Sequence, residues 1–337
     1  MTIKSQRSLG RVPLFCFQRA FTLLFVCLAV GTTTTESFSQ QRRQAPGVPP
    51  TFANVPYVPN GGDRQQLDIF LPPNYQEGAK LPVLVWIHGG SWQSGSKDDM
   101  KMILGLMPLF SGGKKNFVGQ GYACVSINYR FIRQAPFPAQ IEDCKTAIRW
   151  LRANAKTYNL DPERIGVWGV SAGGHLAAML GTSPYKKAFE VGENLDQSSA
   201  VQAVCDIFGP TDFTVIFETP TAELTELLGG RDLDALARLA LGGTVSEKRE
   251  LITSMSPITH ITKDCPPFLI IHGTEDKLVP VSQSTRFYDA LKKAGIDVEL
   301  ILQEGAGHDL TILSQAHELF RKINGFFDAN VKKEAAQ

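Results

Sequence analysis

Arg164-Ile165-Gly166-Val167-Trp168-Gly169-Val170-Ser171-Ala172-Gly173-Gly174-His175-Leu176-Ala177-Ala178 is the stretch on which the reading of this 337-residue chain turns. It opens as a short apolar run, passes through two glycines that flank a serine, and continues into alanine-rich sequence with the composition of a helix. A Gly-x-Ser-x-Gly pattern alone is weak, because it arises by chance in roughly one chain in ten of this size. Its setting between a strand and a helix strengthens it. There a sharp turn lifts the serine hydroxyl above a sheet, and the flanking glycines allow a backbone crowding that any Cβ would obstruct.

Working outward, the chain alternates apolar runs with helical patterns. Gln65 to Leu71 alternates Leu67, Ile69 and Leu71 with polar residues, as an early strand does. Pro82 to His88, Tyr122 to Asn128, Arg164 to Gly169, Val201 to Phe208, Pro267 to His272 and Val298 to Leu302 are short and mostly continuous. Such runs suit strands covered on both faces. Between them, Ala139 to Tyr158, Ser282 to Ala294 and Thr311 to Asp328 carry apolar residues at helical spacing. Alternation of this kind predicts an α/β fold: a mostly parallel, doubly wound sheet with helices on both faces and right-handed crossovers. Ligands of such sheets bind at the carboxyl ends of the strands. The segment 210–257 breaks the alternation and is a candidate cap insertion above those ends.

Three further loops at strand ends carry chemistry. His88-Gly89-Gly90-Ser91-Trp92 follows the run Pro82 to Ile87. Acyl transfer to a serine builds negative charge on a carbonyl oxygen, which needs two preorganised backbone N–H groups. Ala172, next after the serine, offers one, and Gly89 or Gly90 the other. His272-Gly273-Thr274-Glu275-Asp276 follows Pro267 to Ile271 and supplies an acid, Asp276, with Glu275 beside it and Asp212 after an earlier strand as rivals. Gly305-Ala306-Gly307-His308-Asp309 follows Val298 to Leu302 and supplies the base, His308. The order Ser171, Asp276, His308 is that of a hydrolase triad on this architecture. His88 sits before its glycines and is expected to hold the loop. His175 and His272 adjoin motifs but lie in the wrong segment for a base, and His260 and His317 have bland surroundings.

The charge balance narrows the classes further. Net charge is +1, and residues before Gln40 hold Lys4, Arg7, Arg11, Arg19 and Glu36, so removing them leaves −2. A chain so near neutrality has no general attraction for nucleic acid or an anionic membrane. Residues 1–39 have the basic opening, apolar run (Ala20 to Val30) and polar end of a secretory signal peptide, with cleavage after Ser39 or Gly31. The run is too short to span a bilayer comfortably. Residues 40–51 read as a flexible lead-in, 52–330 as the catalytic domain and 331–337 as a tail. The mature chain is therefore expected to be exported, periplasmic or extracellular, without stable membrane insertion. Cys124, Cys144, Cys205 and Cys265 remain, as bridges or as buried thiols, and no disulfide is assigned. No metal-type Cys/His spacing occurs.

From about Phe52 to Phe327 the chain resembles the α/β-hydrolase superfamily, in its esterase/lipase branch, and within it the bacterial group labelled BD-FAE (feruloyl-esterase-like). The residues that carry the resemblance are His88-Gly89-Gly90-Ser91-Trp92 with Gly95-Ser96-Lys97, Asn128-Tyr129-Arg130, Phe137-Pro138-Ala139-Gln140, Gly166-Val167-Trp168-Gly169, Ser171 through Ala177, Phe208-Gly209-Pro210-Thr211-Asp212 and Gly307-His308. Two positions depart from the pattern. Val170 stands where the group often has an acid, and Ser91 where hormone-sensitive-type lipases carry a third glycine. The resemblance implies a cofactor-free, metal-free serine esterase acting on short acyl esters, including acetyl or feruloyl groups on polysaccharide. A small-amide hydrolase of formamidase or peptidase type, or a non-catalytic binding protein on the same fold, remains open.

Overall fold

A computed structural model of the chain describes residues 47–110, 115–227, 233–309, 312 and 316–332. The expected signal peptide with both cleavage positions, residues 40–46 of the lead-in, Gly229-Gly230 of the cap segment, Thr311 and residues 333–337 lie outside the described residues.

Eight strands form one sheet: β1 (Phe52–Pro56), β2 (Gln66–Phe70), β3 (Leu81–Ile87), β4 (Ala123–Ile127), β5 (Leu160–Val170), β6 (Ala203–Ile207), β7 (Phe268–Gly273) and β8 (Val298–Gln303), in the order β1-β2-β4-β3-β5-β6-β7-β8. The pairs β1/β2 and β2/β4 are antiparallel, and every other pair is parallel. The apolar runs of the sequence therefore become the sheet, because strands buried on both faces need no polar alternation. β5 starts at Leu160, earlier than its apolar run. β1 is an additional edge strand.

The helices are α1 (Asp99–Phe110), α2 (Ala139–Ala153), α3 (Ala172–Thr182), α4 (Phe213–Glu218), α5 (Ala222–Leu227), α6 (Leu233–Leu241), α7 (Arg249–Ser254), α8 (Ser282–Lys293) and α9 (Ala316–Phe327). One face of the sheet packs against α2, α3 and α8 through Ile141, Ile148, Leu176, Leu180, Phe287 and Leu291. The other packs against α1 and α9 through Met100, Leu104, Met107, Phe320, Ile323 and Phe327. Helices on both faces of a mostly parallel sheet match the expected class. α2 stops before Tyr158, because Asn154 turns back and donates its side-chain amide to the Trp150 carbonyl (2.9 Å).

Two expected boundaries shift. Val331, assigned to a tail, is fully buried beside Phe327 on the sheet, so the fold runs at least to Lys332. The lead-in is already tied down near its end: the Val48 N–H donates to the Lys101 carbonyl (3.0 Å) and the Thr51 N–H to the Ile69 carbonyl (2.7 Å). Cys124, Cys144, Cys205 and Cys265 are free and buried. Among the described residues no helix is long and apolar enough to cross a membrane.

Parallel register decides where the site forms. Ile87 lies opposite Gly169, Val170 opposite Ile207, Ile207 opposite Ile271 and Gly273 opposite Gln303. The loops after β3, β5, β6, β7 and β8 thus leave the sheet along one edge, the carboxyl edge where ligands of such sheets bind.

Candidate active site

Ser171 joins β5 to α3 with φ 54° and ψ −121°, a left-handed backbone that a side-chain-bearing residue adopts only under strain of about 1–3 kcal/mol. The surroundings hold it there. The Ser171 N–H donates to the Ile207 carbonyl, and the His175 N–H donates to the Ser171 carbonyl, both at 2.9 Å. The turn is tight enough that a Cβ on Gly173 would stand 2.0 Å from the Ile87 carbonyl oxygen. Because His175 makes the first i→i−4 bond of α3, the amides of Ala172, Gly173 and Gly174 precede the helical ladder.

Three side chains from three loops meet in a line. The Ser171 Oγ is 2.9 Å from His308 Nε2, and His308 Nδ1 is 2.6 Å from Asp276 Oδ2. A carboxylate only accepts, so Nδ1 carries the proton and Nε2 is left as the acceptor for the Ser171 hydroxyl. The loops bearing the acid and the histidine are stitched together. The Glu275 N–H donates to the Ala306 carbonyl and the Gly305 N–H to the Thr274 Oγ1, both at 2.9 Å. Phe208, itself at φ 44°, lies with its ring centroid 4.6 Å from that of His308.

Asp276 is held from every side. Its Oδ1 accepts the N–H groups of Leu278 (3.0 Å) and Val279 (2.9 Å). Its Oδ2 faces His308 and also His272 Nε2 at 3.2 Å. Burial alone would raise its pKa, but hydrogen bonds from His272 and His308 outweigh it and hold the carboxyl at about 2. His272 donates through Nε2 to the Val279 carbonyl (2.8 Å), and its Nδ1 accepts from the Ser284 hydroxyl (2.6 Å). The sequence set this histidine aside as a base, and its place as a clamp on the acid went unseen. The available signal is its adjacency to Gly273, but the contact also requires the turn to fold back through Val279.

The two rival acids stand elsewhere. Glu275 is exposed. Asp212 pairs with Arg286 (2.6 Å) and accepts from the Thr214 hydroxyl. Those partners hold its carboxyl below the usual range against the effect of burial.

The loop after β3 packs against the serine turn, where a Cβ on Gly89 would sit 3.5 Å from Ser171 Cβ. Gly90 has φ 106°, and a Cβ there would stand 2.4 Å from the Ser94 carbonyl oxygen, so only glycine fits. His88 holds this loop, as expected. Its Nδ1 donates to the Gly89 carbonyl (2.7 Å), and its Nε2 accepts from Arg64 (2.8 Å). Burial lowers its pKa to about 3, which keeps it neutral. His175 is likewise neutral, pushed to about 4 by burial, and donates to the Met255 carbonyl. His260 donates to the Ser254 carbonyl, and His317 is exposed.

Ser171 opens into an apolar cleft of about 120 Å³, lined among others by Trp92, Phe213, Ile216, Phe217, Leu224 and Leu278. Four of these six come from the segment 210–257, so the candidate cap forms one wall of the cleft. A serine hydroxyl bonded to a histidine nitrogen, with the other ring nitrogen bonded to a carboxylate, is an arrangement that can transfer a proton from oxygen to nitrogen while the oxygen attacks an electrophile.

The BD-FAE family model matches residues 67–291. The esterase LipQ of Mycobacterium tuberculosis is 34% identical over 72% of this chain and 53% of its own length. LipC, a second esterase of that organism, is 34% identical over 70% of this chain and 54% of its own. The chain spans about half the length of these relatives. Among solved structures, a truncated carbohydrate esterase from gut microbiota superposes with a TM-score of 0.69 at 30% identity, covering 86% of this chain and 99% of that one. The butyrate-bound esterase Est2 of Thermogutta terrifontis superposes at 0.65 and 26% identity, covering 86% and 98%. On the family match, the sheet and its edge loops, the chain belongs to the BD-FAE family of the α/β-hydrolase fold.

Proposed function

We propose that this protein is a serine carboxylesterase for short-chain esters. The observation that carries the reading is the unbroken line Ser171 Oγ, His308 Nε2, His308 Nδ1, Asp276 Oδ2, with steps of 2.9 and 2.6 Å. In this mechanism the Ser171 Oγ attacks the ester carbonyl carbon while His308 Nε2 takes its proton. Asp276 stabilises the imidazolium that forms. The oxyanion is received by the Ala172 amide and an amide of Gly89 or Gly90. Collapse of the tetrahedral intermediate breaks the bond to the leaving alcohol, which takes the proton from His308. Water then attacks the acyl-serine by the same route in reverse, releasing the acid.

Short acyl groups are favoured by the size of the cleft. Its roughly 120 Å³ is close to the ~150 Å³ of an apolar protein cavity that takes up benzene. The relatives are named esterases, and a solved relative holds butyrate, in line with a small acyl site. Acetyl groups on polysaccharide are a natural substrate class for an exported enzyme of this kind, and the 30% identity to a carbohydrate esterase supports that choice. Export itself rests on the signal-peptide pattern of residues 1–39.

Hydrolysis of a p-nitrophenyl ester series and of acetylated xylan tests the reading. Activity that peaks at two to four acyl carbons is expected, as is loss of several orders of magnitude in Ser171→Ala. Catalysis of about 10³–10⁴ over water would survive in that variant from the remaining site. A fluorophosphonate probe that labels Ser171→Ala as strongly as the wild type overturns the nucleophile. A maximum at ten carbons or more overturns the short-chain preference.

A further inference from the structure

Trp92 borders two cavities at once. On one side is the cleft that holds Ser171. On the other is a separate, mostly apolar void of about 10 Å³, roughly the room for one water, lined by Ile132, Phe137, Gln140, His175, Ala240 and Met255 along with Trp92. The indole is braced on the same two flanks, edge-on to His175 at 5.3 Å and tilted against Phe213 at 5.8 Å between ring centroids. Its backbone is fixed as well. φ is 57°, and the Trp92 carbonyl accepts the Ile132 N–H at 3.0 Å.

From this we infer that Trp92 is the partition that sets acyl-chain length, and that the void behind it is a closed-off extension of the acyl site. The inference rests on the esterase reading above. Four of the six residues beyond the indole are apolar and none is charged, so a chain that passed the partition would go on burying methylenes rather than meet a charge. His175 and Gln140 are the polar exceptions: His175 is neutral and donates through Nε2 to the Met255 carbonyl, and the Gln140 amide is turned to the Arg130 (3.0 Å) and Ala135 (2.8 Å) carbonyls. Removing the indole would join the void to the cleft and add the volume of the lost ring. Each further methylene buried there is worth about a fourfold gain in kcat/KM. Across the four methylenes from butanoyl to octanoyl the ceiling is on the order of 10²-fold.

The experiment compares the wild type, Trp92→Ala, the milder Trp92→Leu, and Trp92→Ala combined with Ala240→Leu, which refills the void from its far wall. The kcat/KM values for acetyl to decanoyl p-nitrophenyl esters are measured alongside calorimetric binding of butanoate and octanoate. The octanoyl-to-butanoyl ratio is expected to rise at least tenfold in Trp92→Ala, less in Trp92→Leu, and to return toward wild type in the double variant. The octanoate-to-butanoate affinity ratio should move the same way. Ratios unchanged in both single variants, or unaffected by Ala240→Leu, overturn the partition. The carboxylate binding does not require turnover. A shifted affinity ratio in a protein that hydrolyses no ester would therefore uphold the partition and sink the esterase reading alone.

Discussion

The turn after β7 and the end of β6 leave the sheet side by side, each carries buried aspartate, and the two treat it in opposite ways. In the β7 turn, two backbone amides and two histidines surround Asp276, and its carboxyl is held at about 2. In β6, Asp206 is just as enclosed but accepts one bond, from the Gly209 N–H at 2.9 Å, and its Oδ2 has no partner among the described residues. Burial dominates there and lifts its carboxyl to about 6. Six residues further on, Asp212 is satisfied by Arg286 and Thr214. The lesson is that depth alone does not decide the state of a carboxyl. The number of donors aimed at it does.

The largest effect that would break this contrast is on turnover. Asp276→Asn keeps a side chain of the same shape but lets His308 hold its proton on the wrong nitrogen, which in serine hydrolases costs on the order of 10⁴-fold in kcat. Asp212→Asn loses a partly exposed pair with Arg286 and should cost less than about tenfold, because such pairs contribute about 1 kcal/mol or less. Steady-state kinetics of both variants, with melting temperatures to confirm folding, make the check. A dead Asp212→Asn beside an active Asp276→Asn would move the acid from one turn to the other.

Much of this contrast was invisible in the sequence, for physical reasons that differ by residue. β3 through β7 were legible because strands buried on both faces become continuous apolar runs, and β8, though a partly exposed edge strand, keeps a short run of Val298, Leu300, Ile301 and Leu302. β1 was not, because Phe52–Pro56 is a partly exposed edge strand with no such run. α1 went unremarked because Asp99–Phe110 is apolar nearly throughout and contains Pro108, which blurs any helical stripe. Ser171 and His308 stood out through the glycines that their backbones require. Asp276, Glu275 and Asp212 could be ranked by strand order only, since the choice depends on which carboxylate turns inward. The clamp of His272 on Asp276 and the packing of Phe208 on His308 depend on side-chain directions that no spacing encodes.

A second test reads stability at Asp206. Its pKa is raised from the ordinary 3.8 to about 6, so the native state binds the proton more tightly than the unfolded chain. The stabilisation is complete below about pH 4 and is lost as pH rises through 6, up to a limit of about 3 kcal/mol. Asp206→Asn cannot ionise. Measured by urea denaturation, its stability relative to wild type should climb between pH 4 and 7 and level off above. A difference that stays flat across that range would mean that an unseen donor satisfies the second oxygen, and the contrast with Asp276 would close.

The smallest expected effect has the opposite sign and lies at Asp276. Here the native pKa of about 2 is below the unfolded value of 3.8, so the native state releases the proton more readily. The stabilisation is present above about pH 4 and disappears as pH falls through 2, with a limit of about 2 kcal/mol. Other carboxyls titrate over the same window, so the wild-type curve alone is not diagnostic. The difference between wild type and Asp276→Asn isolates this group: the wild type should lose its advantage between pH 4 and 2, where Asp206 no longer contributes a slope. His272→Gln sharpens the measurement by removing one of the two histidines that hold the carboxyl down. In that variant the loss should begin at higher pH, because a less satisfied Asp276 takes up its proton sooner. An unshifted acid limb would mean that His308 and the amides of Leu278 and Val279 hold the carboxylate unaided, leaving His272 to brace the turn through Val279 and Ser284.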